Sequence, residues 1–158
     1  MRRLLIAALL VAAPAPPAAA AQLSAAQAQA IVGACATHSA SRNQSHAIAV
    51  VDVGGQLVAA LRMDGNGYGI MDFAISKARA AAAWGFATGR MATAAQETPG
   101  FGSAPHVVTV AGGVPIWSAD GSDRIGAVGV SGEAPADDQV CAEAGIAAAG
   151  LRTARAGN

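Results

Sequence analysis

The residues able to do chemistry in this chain are few, and only one group stands together. Arg62-Met63-Asp64-Gly65 closes an apolar stretch, Ala47 to Asp64, read as AIAVVDVGGQLVAALRMD. Two runs of aliphatic residues flank Gly54-Gly55, which predicts a strand, a tight turn and a returning strand. A hairpin that delivers an arginine and an aspartate to one edge is a platform for a binding site. Histidine occurs at 38, 46 and 106, without metal-ligand spacing. His38 falls near the end of a predicted helix, where a positive charge suits the macrodipole.

Several reaction classes are excluded by what is missing. Asp64-Gly65-Asn66-Gly67-Tyr68-Gly69 opens like a calcium loop, but Ile75 stands at the twelfth position, where a bidentate glutamate is needed. Gly129-Val130-Ser131-Gly132-Glu133 approaches a nucleophile elbow and lacks its last glycine. Neither a G-x-G-x-x-G run nor a phosphate-loop lysine occurs, and no C-x-x-C-H would attach haem covalently. Lys and Arg number 10 against 10 Asp and Glu, with no basic cluster beyond the extreme N-terminus, so nothing points to nucleic acid.

That N-terminus reads as a signal peptide over residues 1–21. Met1-Arg2-Arg3 is a positive n-region, Leu4 to Ala13 a short apolar core, and Ala19-Ala20-Ala21 a small-residue cleavage site. The apolar run is short for a membrane span, so a periplasmic or secreted product with no span after cleavage is expected. Residues 22–158 then form one domain. Export places Cys35 and Cys141 where disulfides persist. A bond between the first and last helices is one reading, and two small buried core residues is the other.

The elements that would carry these residues follow from periodicity. A helix is predicted from Ala25 to Ser41, started by a Ser24/Gln27 capping box with Leu23 as staple. A second runs from Ile70 to about Ala87 with Gly89 as its stop, and places Lys77 beside the apolar stripe, free to snorkel or to pair with Asp64 or Asp72. Arg90 to Pro105 reads as irregular. Strands are expected at Val107–Ala111, Val114–Ser118 and Ile125–Val130, the first two turned by Gly112-Gly113. Pro115 argues against a central, fully bonded position. A last helix begins near Pro135, with Asp137 and Asp138 in its first turn and Arg152 and Arg155 in its last. Short turns make most strand pairs antiparallel, giving an α+β fold with a five-stranded sheet and three main helices.

In combination, IAVVDVGGQLVAALRMDG, SKARAAAAWGFAT, GGVPI, RIGAVGVSG and CAEAGIAAA resemble the GlcG/HbpS-like haem-binding, often called haem-degrading, domain family. The resemblance covers the whole chain after the leader. It implies a profilin-like α/β/α sandwich, homo-oligomers and non-covalent haem binding in some members. Exported relatives partner a sensor protein. The matching polar positions are Arg62, Asp64, Lys77, Thr88, Ser131 and Asp138, a candidate shared ligand site. Haem needs an apolar slot, cations for its propionates and optionally an axial ligand. Arg62 and Lys77 are the candidate cations. His106 is the first candidate axial ligand and His46 the second, with the Thr88 or Ser131 oxygen as substitutes. The expected function is thus an exported haem-binding protein. The alternatives are a non-catalytic sensing or interaction module for a protein partner, and a haem-degrading enzyme.

Overall fold

A computed structural model describes residues 21–157. Residues 1–20, which hold nearly all of the expected signal peptide, lie outside the described part. The element order is α1 (Ala25–Ala40), β1 (Ala47–Asp52), β2 (Leu57–Arg62), α2 (Tyr68–Trp84), α3 (Thr88–Glu97), a 3-10 turn (Phe101–Ser103), β3 (Gly113–Trp117), β4 (Arg124–Ser131) and α4 (Pro135–Ala148). The strands form one antiparallel sheet in the order β2-β1-β4-β3. Among the described residues, no helix is long and apolar enough to cross a membrane.

Each strand of the sheet centre divides its side chains by alternation. Ile48 and Val50 of β1, Val128 and Val130 of β4 and Val114 and Ile116 of β3 join Ile31, Val32 and Cys35 of α1 and Cys141 and Ile146 of α4 in the main core. The intervening residues Ala47, Ala49, Val51 and Ala127 face the other way, onto Ala74, Ala78, Ala81 and Ala82 of α2. The molecule is therefore three layers: α2 on one side of the sheet, α1 and α4 on the other. A disulfide joins Cys35 to Cys141 across that second layer, 106 residues apart in sequence.

The small-residue face lets α2 sit close to the sheet. A Cβ on Gly129 would run into the Ala74 carbonyl, and one on Gly113 into the Lys77 carbonyl. These glycines are spacers between backbone and backbone, which also corrects the reading of Gly112-Gly113 as a hairpin turn. Gly113 instead begins β3, and Val107–Ala111 is not a strand, so the sheet has four strands rather than five. The physical reason is edge chemistry. On the outer side of β3 the Gly113 N–H donates to Thr88 Oγ1 (2.9 Å), Pro115 has no N–H, and Trp117 exchanges two bonds with Arg152 (2.8 and 3.1 Å). No donor row remains there for a further strand to pair with.

Among the described residues the α-helices number four, where the sequence predicts three main helices. The segment expected to be irregular contains α3, and α2 ends at Gly85 (φ 76°), not at Gly89. Gly85 serves because the helix closes on a left-handed residue, a conformation glycine takes without a Cβ clash. Helix α1 starts with the capping box of Ser24 and Gln27. Helix α4 has Pro135 in its first turn, with Asp137 and Asp138 there as well, but it stops at Ala148. Arg152 and Arg155 lie beyond it, in a segment that returns along the sheet edge.

Candidate functional site

Four of the polar residues singled out in the sequence lie at one end of the sheet, and two of them, Lys77 and Asp138, are in contact. Lys77 projects from α2 past the end of β4, where only Gly112 leaves space beside its ammonium group. Its Nζ donates to Asp138 Oδ2 (2.8 Å) and to the Val130 carbonyl (2.9 Å), with the lysine 1% and the aspartate 2% exposed. Phe73 adds its ring face at 4.9 Å. Ser131 follows Val130 at the end of β4, and Thr88 closes the neighbouring Gly113 amide. The pairing of Lys77 is thus with Asp138, not with Asp64 or Asp72. Its ammonium group is committed to buried partners and is not available to a propionate.

The other carboxylate oxygen extends this arrangement through the core. Asp138 Oδ1 accepts the Glu133 N–H (3.2 Å) and lies 3.4 Å from His46 Nε2, off the line of a hydrogen bond. His46 Nδ1 is 2.7 Å from Ser39 Oγ, which also reaches the Cys35 carbonyl (2.8 Å) and lies 3.1 Å from Cys141 Sγ. A polar chain therefore runs from α2 through α4 and β1 to the disulfide. Its members are almost wholly buried, so a bound molecule could reach them only by opening the core. This burial corrects the reading of His46 as an axial ligand. Ser39 was missed from sequence, since a serine four residues after Cys35 on a helix carries no signal of its own.

Arg62 and Asp64 stand apart from this chain. Arg62 ends β2 opposite Ala47, which in turn pairs with Ser131, so the arginine is in the same lateral row but two strands away. Its Nη1 donates to the Asn66 carbonyl. Asp64 is exposed, and its carbonyl accepts from Ser45 Oγ (2.6 Å). Asn66, buried, ties the corner by donating to Ser45 Oγ (2.9 Å).

His106 is at the opposite end of the sheet. It is exposed, adopts a left-handed backbone (φ 60°), and borders a recess of about 120 Å³ with Val53, Gly54, Gly55, Arg79, Ala82 and Ala83. The length of β1, about 3.3 Å per residue over its six residues, separates this recess from Arg62. Arg79 was also missed; its Nε donates to the Gly55 carbonyl (3.1 Å), which sets the guanidinium beside the recess. Among the described residues no group of three or more His, Cys, Asp or Glu is arranged to hold a metal ion.

One group is electrostatically distinct. The Asp120 carboxyl is held down from 3.8 to about 2 by hydrogen bonds from the Ser118 hydroxyl and then from Ser122. It caps the turn between β3 and β4, at the same end of the sheet as the β1–β2 turn but on the other half of the sheet.

The fold has known relatives. The family described as haem degrading protein HbpS-like matches residues 23–147. No curated protein sequence matches. Among solved structures, the PduOC:heme complex is 26% identical, with a TM-score of 0.78, covering 85% of this chain and 100% of that one. A double mutant of Streptomyces reticuli HbpS is 28% identical (TM-score 0.75; 89% and 97% covered). Klebsiella pneumoniae ORFY, a protein of the DUF336 family, is 25% identical (TM-score 0.75; 87% and 97% covered). With nearly the whole described fold matched, the chain belongs to the HbpS-like family.

Proposed function

We propose that this protein binds haem non-covalently. The observation that carries the reading is the likeness to PduOC, solved with heme, over the full length of that chain. Haem binding is supported at the level of the family, and the residues here are assigned on their accessibility. His46 is buried, whereas His106 presents its imidazole at the surface. Gly54, Gly55, Ala82 and Ala83 line the recess beside it with small residues. Arg79 supplies a cation there, in the role expected of Lys77. A non-glycine residue held at positive φ is uncommon, and such positions gather at ligand sites. Any iron coordination would then come from His106, with Arg79 neutralising a propionate; the bound haem would supply whatever redox chemistry follows.

Haemin titration of the protein lacking residues 1–21 tests this. A saturable Soret shift is expected, altered in position by His106→Ala and weakened by Arg79→Gln. A shift that both variants leave intact would remove these two residues from the site, and no shift at micromolar protein would remove haem. Verdohaem or biliverdin formed on adding a reductant would establish the degrading enzyme instead.

The second reading, an interaction module for a sensor protein, draws on a different observation. Val53, Leu57 and Leu61 are exposed along the β1–β2 ribbon, at 56%, 49% and 38%. Among the described residues strand β2 pairs only with β1, which leaves its outer edge to a partner or to a second copy. The basic, apolar, small-residue order of residues 1–21 supports export to the periplasm or outside.

A further inference from the structure

A recess with mixed chemistry lies at neither place assigned so far. It has a volume of about 430 Å³ and opens between the end of α2, the start of α3, the outer side of β3 and the returning C-terminal segment. This volume is at the lower end of the roughly 300–1,000 Å³ usual for small-molecule sites. Its apolar surface comes from Phe86, Pro115 and Trp117, two of them aromatic. Two arginines, Arg90 and Arg155, also line it, and neither is in an ion pair among the described residues. The one carboxylate in the lining, Glu143, already accepts the Gln139 amide (2.9 Å). Two cations against one anion leave a single net positive charge.

The wall that completes the recess is built, not loose. Residues 153–155 are held on one side by the paired bonds between Arg152 and Trp117, and on the other by the Ala156 N–H to the Gly121 carbonyl (3.0 Å). Gly121 has no Cβ where one would meet the Ala156 amide nitrogen at 2.7 Å. Leu151 anchors the same segment in the main core. All of this wall lies after residue 147, where the family match ends. The rest of the lining, from Gly85 to Glu143, lies within the matched stretch.

We infer that the recess between α3, β3 and the C-terminal segment is a second binding site, for a small planar monocarboxylate. Trp117 and Phe86 give the lining two aromatic side chains suited to an aromatic or heteroaromatic ring. Arg90 and Arg155 offer forked donors that match a carboxylate. The net charge selects one negative charge over two, because a second would meet Glu143. The inference does not depend on haem binding at His106.

Calorimetric titration of the full chain after the leader with benzoate, indole-3-carboxylate and the neutral benzamide tests it. A 1:1 isotherm is expected for the two acids, with benzamide at least about ten-fold weaker. Arg155→Gln and Arg90→Gln are each expected to weaken the acids about ten-fold while leaving benzamide unchanged. Quenching of Trp117 fluorescence by the acids, read in a Trp84→Phe background, locates the ligand independently. Equal binding of acid and amide, or no saturation by about 10 mM, would overturn the proposal. So would displacement of the acids by stoichiometric haemin, which would give the recess to haem. If either arginine variant fails to fold, loss of benzamide binding in that variant exposes it, and the acid-to-amide ratio of the unsubstituted protein decides.

Discussion

The two faces of the sheet are packed by opposite means. Toward α1 and α4, the strands present Ile48, Val50, Ile116, Val128 and Val130, and the layers stand apart by the bulk of branched side chains. Toward α2, they present Ala47, Ala49, Ala127 and Gly129 to a helix rich in alanine, and backbone meets backbone. The first face gains mainly from the apolar area it removes from water. The second gains less area per residue and more from fit, because there is no flexible side chain to absorb an error. The polar chain crosses between them: Lys77 belongs to α2 and Asp138 to α4, so one ion pair ties the helix layers together around the end of the sheet.

That contrast can be broken at three depths. The largest effect is expected at the crossing. Asp138→Ala leaves the Lys77 ammonium buried without a counter-charge, and should cost about 3–5 kcal/mol in urea unfolding. A loss below about 1 kcal/mol would mean that water reaches the lysine. On the branched face, Ile48→Ala opens a cavity and should cost about 3 kcal/mol. On the close-packed face the sign of the volume change reverses. Gly129→Ala adds a single methyl group, yet should cost about 2 kcal/mol by pushing Ala74 and its helix off the sheet. Parity with an exposed Gly→Ala substitution would show that the α2 layer gives way freely. The smallest effect lies outside both faces. The Asp120 carboxyl is depressed in the folded state, so its contribution is present above pH 3.8 and fades as the pH falls through about 2. NMR titration of its side chain should find a midpoint near 2, and Ser118→Ala should return it toward 3.8.

Much of this was readable beforehand because it rests on local rules. The Ser24/Gln27 box, Pro135 at a helix start and the Gly54-Gly55 turn each involve neighbours in sequence, and each begins or ends an element where local chemistry places it. Glycine inside a strand signals close approach by another backbone, and Gly126 and Gly129 of β4 are such points. The expected fifth strand failed for a non-local reason: Val107–Ala111 has strand composition, but its would-be neighbour's donors are taken by Thr88, absent at Pro115 or taken by Arg152. Helix α3 was hidden because its apolar positions are sparse, with only Thr88 and Met91 buried. At the candidate site, residue types were legible and partners were not. Lys77 and Asp138 are 61 residues apart and pair only because Gly112 makes room. His106 and Arg62 look like companions on paper, and the length of a strand divides them.

The blocked outer side of β3 bears on how copies of this chain could assemble. A sheet with two free edges can be lengthened without limit, strand upon strand. This one can be lengthened at β2 alone, because at β3 the chain has used up its own amides on Thr88 and Arg152 and has a proline between them. Were two copies to join through β2, β3 would lie at both outer ends and offer nothing to a third. The same few residues that cost the fold its fifth strand would then end the growth.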